Sequence, residues 1–287
     1  MTTFISRYRE RQIKRSIRKR FNSPIPPDSK RYPHDKPAPP LTVSEFLAAL
    51  FTQFFTLFAV VFQFNAPQVF RKLRKHWNIN EEEYQKSFQE PLETISGNKG
   101  LSGASFFITK NQKYLIKSLD RKFEWEYYYE HLLMPLSKYQ LSHPESEIVH
   151  MTDALFNFAP RLGRILRTSP SNFLIMENSR EGEGWEDYDL KPTNYFYPER
   201  DFLGGKLTSQ EHKERLHDIF EGHIDLHAKE YEKLMKSLEE DAQFLSDMEA
   251  IDYSLFVIRR KHGKYDGTLT FFTTDFRCSW SSHRFSG

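Results

Sequence analysis

The chain has 287 residues, a length suited to one large domain or two small lobes. Hydrophobic residues make up 38% and aromatics 15%, so a packed core can form, and 26 phenylalanines point to aromatic-rich packing. The net charge of +2 is too small to argue for nucleic acid, and the single cysteine, Cys278, excludes an internal disulfide or a multi-cysteine metal site and fits a reducing, intracellular compartment.

Residues 1–40 read as a separate basic, Pro-rich, disordered arm. "RYRERQIKRSIRKR" (Arg7 to Arg20) is basic with almost no acids, and Ile13, Ile17 and Phe21 fall at helical spacing within it. An arm that touches anionic lipid, a nuclear-targeting patch and a solvated tail all fit this pattern. "SPIPPDSKRYPHDKPAPP" (Ser23 to Pro40) is a linker.

"FLAALFTQFFTLFAVVFQF" (Phe46 to Phe64) is apolar and long enough for a transmembrane candidate. Thr52, Gln53, Thr56 and Gln63 weaken that reading, and no basic cluster adjoins the stretch. It starts too far from Met1 for a signal peptide. A core helix running into a strand is the preferred reading.

"APQVFRKLRKHWNI" is expected to be an amphipathic helix with Val69, Phe70, Leu73 and Trp77 on one side. "SGASFFITKNQKYLIKSL" reads as a hairpin with strands 105–108 and 114–119 and a polar turn at 110–113. "FEWEYYYEHLLMPL" reads as a helix ending near Pro135, and "SNFLIMEN" as a short buried strand. "AKEYEKLMKSLEEDAQFLSDM" predicts a helix with Tyr231, Leu234, Met235, Leu238, Ala242 and Leu245 on one stripe. "GTLTFFTTDF" closes the chain's predicted elements as a strand, and no internal repeat is present.

Several residues could carry chemistry. Gly100, Ser102, Gly103 and Ser105 precede Lys117 by one hairpin; small residues let backbone N–H groups approach phosphate oxygens, and a lysine adds a point charge. The P-loop and dinucleotide glycine patterns are absent. Lys117, in "YLIKSL", must either snorkel or meet an acid, and Glu124 and Glu126 are the nearest candidates; a solvent-facing strand lysine is the equal alternative. Asp252 precedes the apolar run "YSLFVI", where a carboxylate is costly to bury alone. Asp275 ends "TFFTTD", and a turn aspartate capping a strand end competes with a catalytic reading. His212, His217, His223 and His227 lack an HExxH pattern, so metal binding there is not favoured.

In their order, these pieces resemble the phosphatidylinositol phosphate kinase family. "IDYSL" is similar to that family's MDYSLL, and "YDLK" (Tyr188 to Lys191) to its YDLKGS. "APQVFRKLRKHWNI", "SGASFF", "YLIK", "RLGRI" followed by "FLIMEN", and the helix "YEKLMKSLEEDAQFL" before "IDYSL" complete the set, which covers about residues 61–275. The resemblance implies an α+β, kinase-like, two-lobed fold: an N-terminal lobe at 41–180 with an antiparallel sheet, and a C-terminal lobe at 181–287. It implies ATP and Mg2+ as cofactors, and a phosphatidylinositol monophosphate in an anionic membrane surface as substrate. It also implies a peripheral, cytoplasmic location, no nucleic-acid partner, and a homodimer left open.

Position by position, Gly100, Ser102, Gly103 and Ser105 would form the phosphate loop. Lys117 would contact the ATP phosphates, with Glu126 as its helix partner and Glu124 as substitute. Met176 would line the adenine pocket. Asp252 would be the catalytic aspartate, Lys191 would lie in the catalytic cleft, and Asp275 would bind the metal. Three departures stand out. Pro192 replaces a glycine after Lys191 and restricts that lysine to extended backbone. The family's IID is "TTD" here. The chain ends soon after Asp275, so an incomplete C-terminal lobe without the activation loop is expected. The alternative function is a catalytically impaired relative that binds phosphoinositide or nucleotide, or scaffolds.

Overall fold

The computed structural model describes residues 2–23, 43–44, 47, 62–95, 104–157, 172–180, 185–190, 226–260 and 267–278. The chain divides into two compact units, Met1–Ser142 with His150–Asn178, and His143–Val149 with Ser179–Gly287.

The first unit is α+β. Its sheet has six antiparallel strands in the order β1-β5-β6-β4-β3-β2. The strands are β1 (Phe62–Phe64), β2 (Glu93–Thr94), β3 (Phe106–Ile108), β4 (Tyr114–Leu119), β5 (Met151–Asn157) and β6 (Asn172–Glu177). β3 and β4 form the expected hairpin, with Phe106 opposite Lys117 and Ile108 opposite Leu115. β6 is central and buried along nearly its whole length, which is why "FLIM" (Phe173 to Met176) is continuously apolar rather than alternating.

The N-terminal segment departs from the expected disordered arm. Thr2–Phe21 form a helix, α1. Ile13, Ile17 and Phe21 enter the same core cluster as Phe62, Tyr84 and Phe173. Phe21 stacks on Phe88 with centroids 3.7 Å apart and meets Phe64 edge-on at 5.0 Å. The charge of this segment suggested a solvated chain, but its three apolar residues at helical spacing decide its fate, because burying them is worth about 1.5–3 kcal/mol each. Of the apolar stretch 46–64, only residue 47 and β1 are described. Among the described residues no helix is long and apolar enough to cross a membrane.

Helix α2 (Pro67–His76) starts with proline at its first position and buries Phe70, Leu73 and Arg74. The short α3 (Glu81–Lys86) is capped by Asn80, whose Oδ1 accepts from the Glu82 and Glu83 amides at 2.9 and 3.0 Å. The helix expected to end near Pro135 runs on to Ser142: α4 (Lys122–Glu126), a π-helical segment (Tyr127–Leu132) and α5 (Leu133–Ser142). Proline lacks the N–H of an α-helical ladder and crowds the carbonyl four residues back. The wider π turns, in which the Leu133 amide reaches the Tyr128 carbonyl, relieve that conflict instead of ending the helix.

The second unit carries a three-stranded antiparallel sheet in the order β7-β8-β9, made of β7 (Trp185–Leu190), β8 (Ala250–Arg260) and β9 (Gly267–Cys278). Helix α6 (Ala228–Asp247) precedes β8 and packs against it. Its buried positions are Ser237, Asp241 and Leu245, whereas Tyr231 and Met235 of the expected stripe are 53% and 36% exposed. The segment 143–149 occupies the Ser237–Asp241 face.

Candidate functional site

In the first unit the candidate phosphate side is built on β4 and β6. Side chains alternate across a strand. Tyr114 and Ile116 point into the aromatic core under α1, so Leu115, Lys117 and Leu119 take the opposite face. Lys117 is 1% exposed, which rules out the solvent-facing alternative. It stands opposite Phe106 on one side and Leu174 on the other. Met176, 2% exposed, pairs with Leu115 and lies two positions along β6 from Leu174. Lys117 and Met176 therefore share one sheet face as diagonal cross-strand neighbours, a placement that sets Cβ atoms about 7–8 Å apart.

The acids proposed to meet Lys117 ride on α4, which packs against β4. Glu124 is buried, and its Oε2 accepts from the Arg121 amide at 3.4 Å while its Oε1 lies 3.7 Å from the Arg121 guanidinium. That carboxylate closes the start of its own helix. Glu126 is half-buried at the end of α4. Of the proposed phosphate loop, Gly100, Ser102 and Gly103 lie outside the described residues. Ser105 is described: its N–H donates to Ser118 Oγ at 2.8 Å, and its carbonyl accepts from the Ser118 amide at 2.9 Å. That N–H is thus already engaged.

In the second unit, β8 and β9 pair regularly from Tyr253 opposite Thr273 to Arg259 opposite Gly267. The register shifts between Ile251 and Tyr253, because Ile251 pairs with Arg277. Asp252 is the β8 residue inside this interruption, and Thr274, Asp275 and Phe276 are the β9 residues set against it. A bulge of this kind interrupts the ladder. β7 ends at Leu190 opposite Leu255, toward the Asp252 end of β8. Lys191, the next residue, lies outside the described residues.

Two buried polar clusters escaped the sequence analysis. Arg74 on α2 is 3% exposed, and its Nη1 donates to Asp153 Oδ2 at 2.9 Å and to the Thr152 carbonyl at 2.7 Å. Its Nε and Nη2 grip both oxygens of Glu81 at 3.0 and 2.7 Å, and its guanidinium lies 4.5 Å from the centre of the Tyr84 ring. Burial pushes the Asp153 carboxyl up to about 6, against the pull of Arg74. The direct 2.9 Å contact with a guanidinium nonetheless marks it as ionised at neutral pH. The signal was present: Arg74 is four residues after Phe70, hence on the buried face of α2, and Asp153 shares a strand face with Leu155.

The other cluster joins α6 to segment 143–149. Asp241 is fully buried, and accepts from Ser146 Oγ at 2.8 Å and from the Glu147 amide at 2.6 Å. Lys233 pairs with Glu145 at 2.6 Å. Burial first, then Asp241 and Glu145, push the Glu147 carboxyl up to about 7, while Lys233 opposes them.

His227 sits at the N-cap of α6, and the other three histidines noted above lie outside the described residues. Among the described residues no group of three or more His, Cys, Asp or Glu side chains is arranged to hold a metal ion.

Residues 86–274, more than half of the chain, match the family described as phosphatidylinositol-4-phosphate 5-kinase. The chain is 27% identical over 198 residues to phosphatidylinositol 4-phosphate 5-kinase 8 of Arabidopsis thaliana, covering 67% of this chain and 24% of that protein. It is 28% identical over 227 residues to phosphatidylinositol 4-phosphate 5-kinase of Plasmodium falciparum (isolate 3D7), covering 68% of this chain and 12% of that protein. It is 26% identical over 208 residues to phosphatidylinositol 4-phosphate 5-kinase type-1 beta of Homo sapiens, covering 68% of this chain and 35% of that protein. The chain thus spans about a third or less of the length of these curated relatives.

Proposed function

Because the chain belongs to the phosphatidylinositol-4-phosphate 5-kinase family, we propose that it phosphorylates the inositol ring of a phosphatidylinositol monophosphate with ATP, giving a bisphosphate. The first unit is then the nucleotide lobe and the second the catalytic lobe of a two-lobed kinase, acting peripherally at the cytoplasmic surface of an anionic membrane.

In the reaction a ring hydroxyl oxygen bonds to the γ-phosphorus, the bond to the β,γ-bridging oxygen breaks, and ADP leaves. Asp252 orients the hydroxyl and takes its proton. Lys117 holds the ATP phosphates as a fixed charge in a water-poor setting, where each such interaction counts for more than in water. Glu126 restrains Lys117, and Met176 lines the adenine end of the same sheet face. Gly100, Ser102, Gly103 and Ser105 cover the phosphates, and Lys191 lies near the transferred group. The carboxylate of Asp275, with no soft ligand beside it in sequence, is a donor of the hard-oxygen type that suits Mg2+. When bound, Mg2+ supplies charge neutralisation at the phosphates.

The observation that carries this reading is the interruption of the β8–β9 ladder that sets Asp252 against the segment holding Asp275. Phosphoryl transfer needs two carboxylates with different tasks in one place, and a regular antiparallel ladder would not single these two out. The test is label transfer from ATP to phosphatidylinositol 4-phosphate vesicles with saturating Mg2+. Transfer that is lost in Lys117→Ala and Asp252→Asn supports it; no transfer to any phosphatidylinositol monophosphate above those variants rejects it.

Pro192 favours a second reading, a catalytically impaired relative that binds nucleotide or phosphoinositide. A proline ring disfavours helical backbone at the residue before it, a constraint that the glycine expected at this position does not impose. ATP binding without turnover in the same assay selects this reading.

A further inference from the structure

The N-terminal helix lies outside the span matched to the kinase family, and it holds the most one-sided charge among the described residues. Its apolar stripe is in the core: Ile17 is fully buried, and Ile13 and Phe21 are 4% and 6% exposed. Arg18 fastens the same helix to the body of the unit, donating through Nε to the Gln89 carbonyl at 3.1 Å and through Nη2 to the same oxygen. Lys14 adds a bond to Thr94 Oγ1 at 2.9 Å. The helix is therefore held in a fixed orientation.

The opposite face carries Arg7, Arg11, Arg15 and Lys19, spaced one turn apart and all exposed. None of these four side chains makes an ion pair or hydrogen bond among the described residues. No acid lies on this arc; Glu10, at its flank, is paired with Lys14 at 3.0 Å and bonded to Thr94. At 1.5 Å rise per residue the four cations span about 18 Å along the helix axis.

We propose that α1 is a membrane-docking ridge: Arg7, Arg11, Arg15 and Lys19 bind the headgroup plane of an anionic phospholipid bilayer. The binding is electrostatic and not insertive, because the apolar face that would enter the bilayer is already committed to the core. Residues four apart drift about 40° per step round an α-helix, so the four cations fan over about a third of its circumference; their long side chains can reach one plane of phosphates, and the guanidinium fork suits phosphate oxygens. The choice of a bilayer over another polyanion rests on the lipid-kinase reading above, since that substrate is presented in a bilayer. Near an anionic surface each such cation strengthens binding about fivefold, an effect attenuated beyond a Debye length.

The test is co-sedimentation of the full chain with phosphatidylcholine vesicles, with and without phosphatidylserine, and without ATP or phosphoinositide. Binding is expected only with phosphatidylserine, weakening as salt rises. Replacing Arg7, Arg11, Arg15 and Lys19 together by Ala should lower vesicle affinity about a thousandfold, with unchanged melting temperature, while R7K/R11K/R15K keeps most of it. If the fourfold variant does not fold, R11A and R15A singly should each lose part of the affinity. Wild-type binding that survives the fourfold change, or ridge-dependent binding to duplex DNA with none to vesicles, overturns the proposal. Retained phosphatidylserine binding in a chain that transfers no phosphate rejects only the kinase reading.

Discussion

Asp252 and Asp275 occupy the two sides of one interruption in an antiparallel ladder: Asp252 alone on β8 between Ile251 and Tyr253, and Asp275 in the middle of the β9 segment between Thr273 and Arg277. The strands on which they lie are adjacent, so their association does not depend on any other element. If both act in phosphoryl transfer, Asp252→Asn and Asp275→Asn each lower kcat about a hundred- to a thousandfold, in the range for loss of a preorganised charged group. Only Asp275→Asn should also raise the Mg2+ concentration needed for half-maximal rate. A magnesium titration of residual activity separates the two roles.

Lys117 is buried among apolar neighbours, so its removal affects packing as well as charge. Lys117→Met keeps most of the volume. Turnover should fall by at least about a hundredfold while the variant stays folded, as its circular dichroism spectrum and cooperative thermal unfolding would show. Equal loss of activity and of fold in this variant would make Lys117 merely structural.

The Arg74–Asp153 pair predicts a different outcome, one of stability. Arg74→Met leaves Asp153 buried without its cation and should cost about 3–5 kcal/mol in urea unfolding. Adding Asp153→Leu should recover much of that loss, because two apolar groups replace two charges. A double variant no more stable than the single one contradicts this account.

The N-terminal helix is expected to unfold with the sheet and not before it. Ile17→Ala should destabilise the first unit by about 2–5 kcal/mol, the cost of emptying a buried aliphatic site. Arg15→Ala, on the exposed face, should change stability by less than about 0.5 kcal/mol. Denaturant titration of both variants checks the contrast.

Glu147 predicts a pH dependence with a definite sign. Its carboxyl is raised from 4.5 to about 7 by burial, Asp241 and Glu145, with Lys233 opposing. Between those values the folded chain keeps a proton that the unfolded chain has lost. Stability from this group is therefore fully present below pH 4.5 and declines as pH rises to about 7. Glu147→Gln should remove that decline and be more stable than the wild type at pH 8. Thermal unfolding at pH 5 and pH 8 measures it.

Much of this protein was legible in the residues alone. The β3–β4 hairpin, α2, α6, β6 and the β8 strand after Asp252 follow from periodicity and turn chemistry, which are local properties. The order of short motifs carried the family, because each keeps its residue types at a spacing set by one turn or one strand. The stripe Ile13, Ile17, Phe21 was also visible, but nothing local says whether such a stripe meets lipid, water or a sheet.

Tertiary structure decided the rest, for reasons that sequence distance hides. Arg74 reads as one more cation in a basic helix until Asp153, brought beside it by sheet pairing, turns it into a buried ion pair. Asp241 reads as a solvated acid within an exposed run until segment 143–149 covers it and donates to it. Pro135 reads as a helix end, yet π turns absorb its missing N–H. In each case the free energy depends on what a distant segment supplies — a charge, an amide or a cover from water — and a local pattern records the need for a partner without naming it.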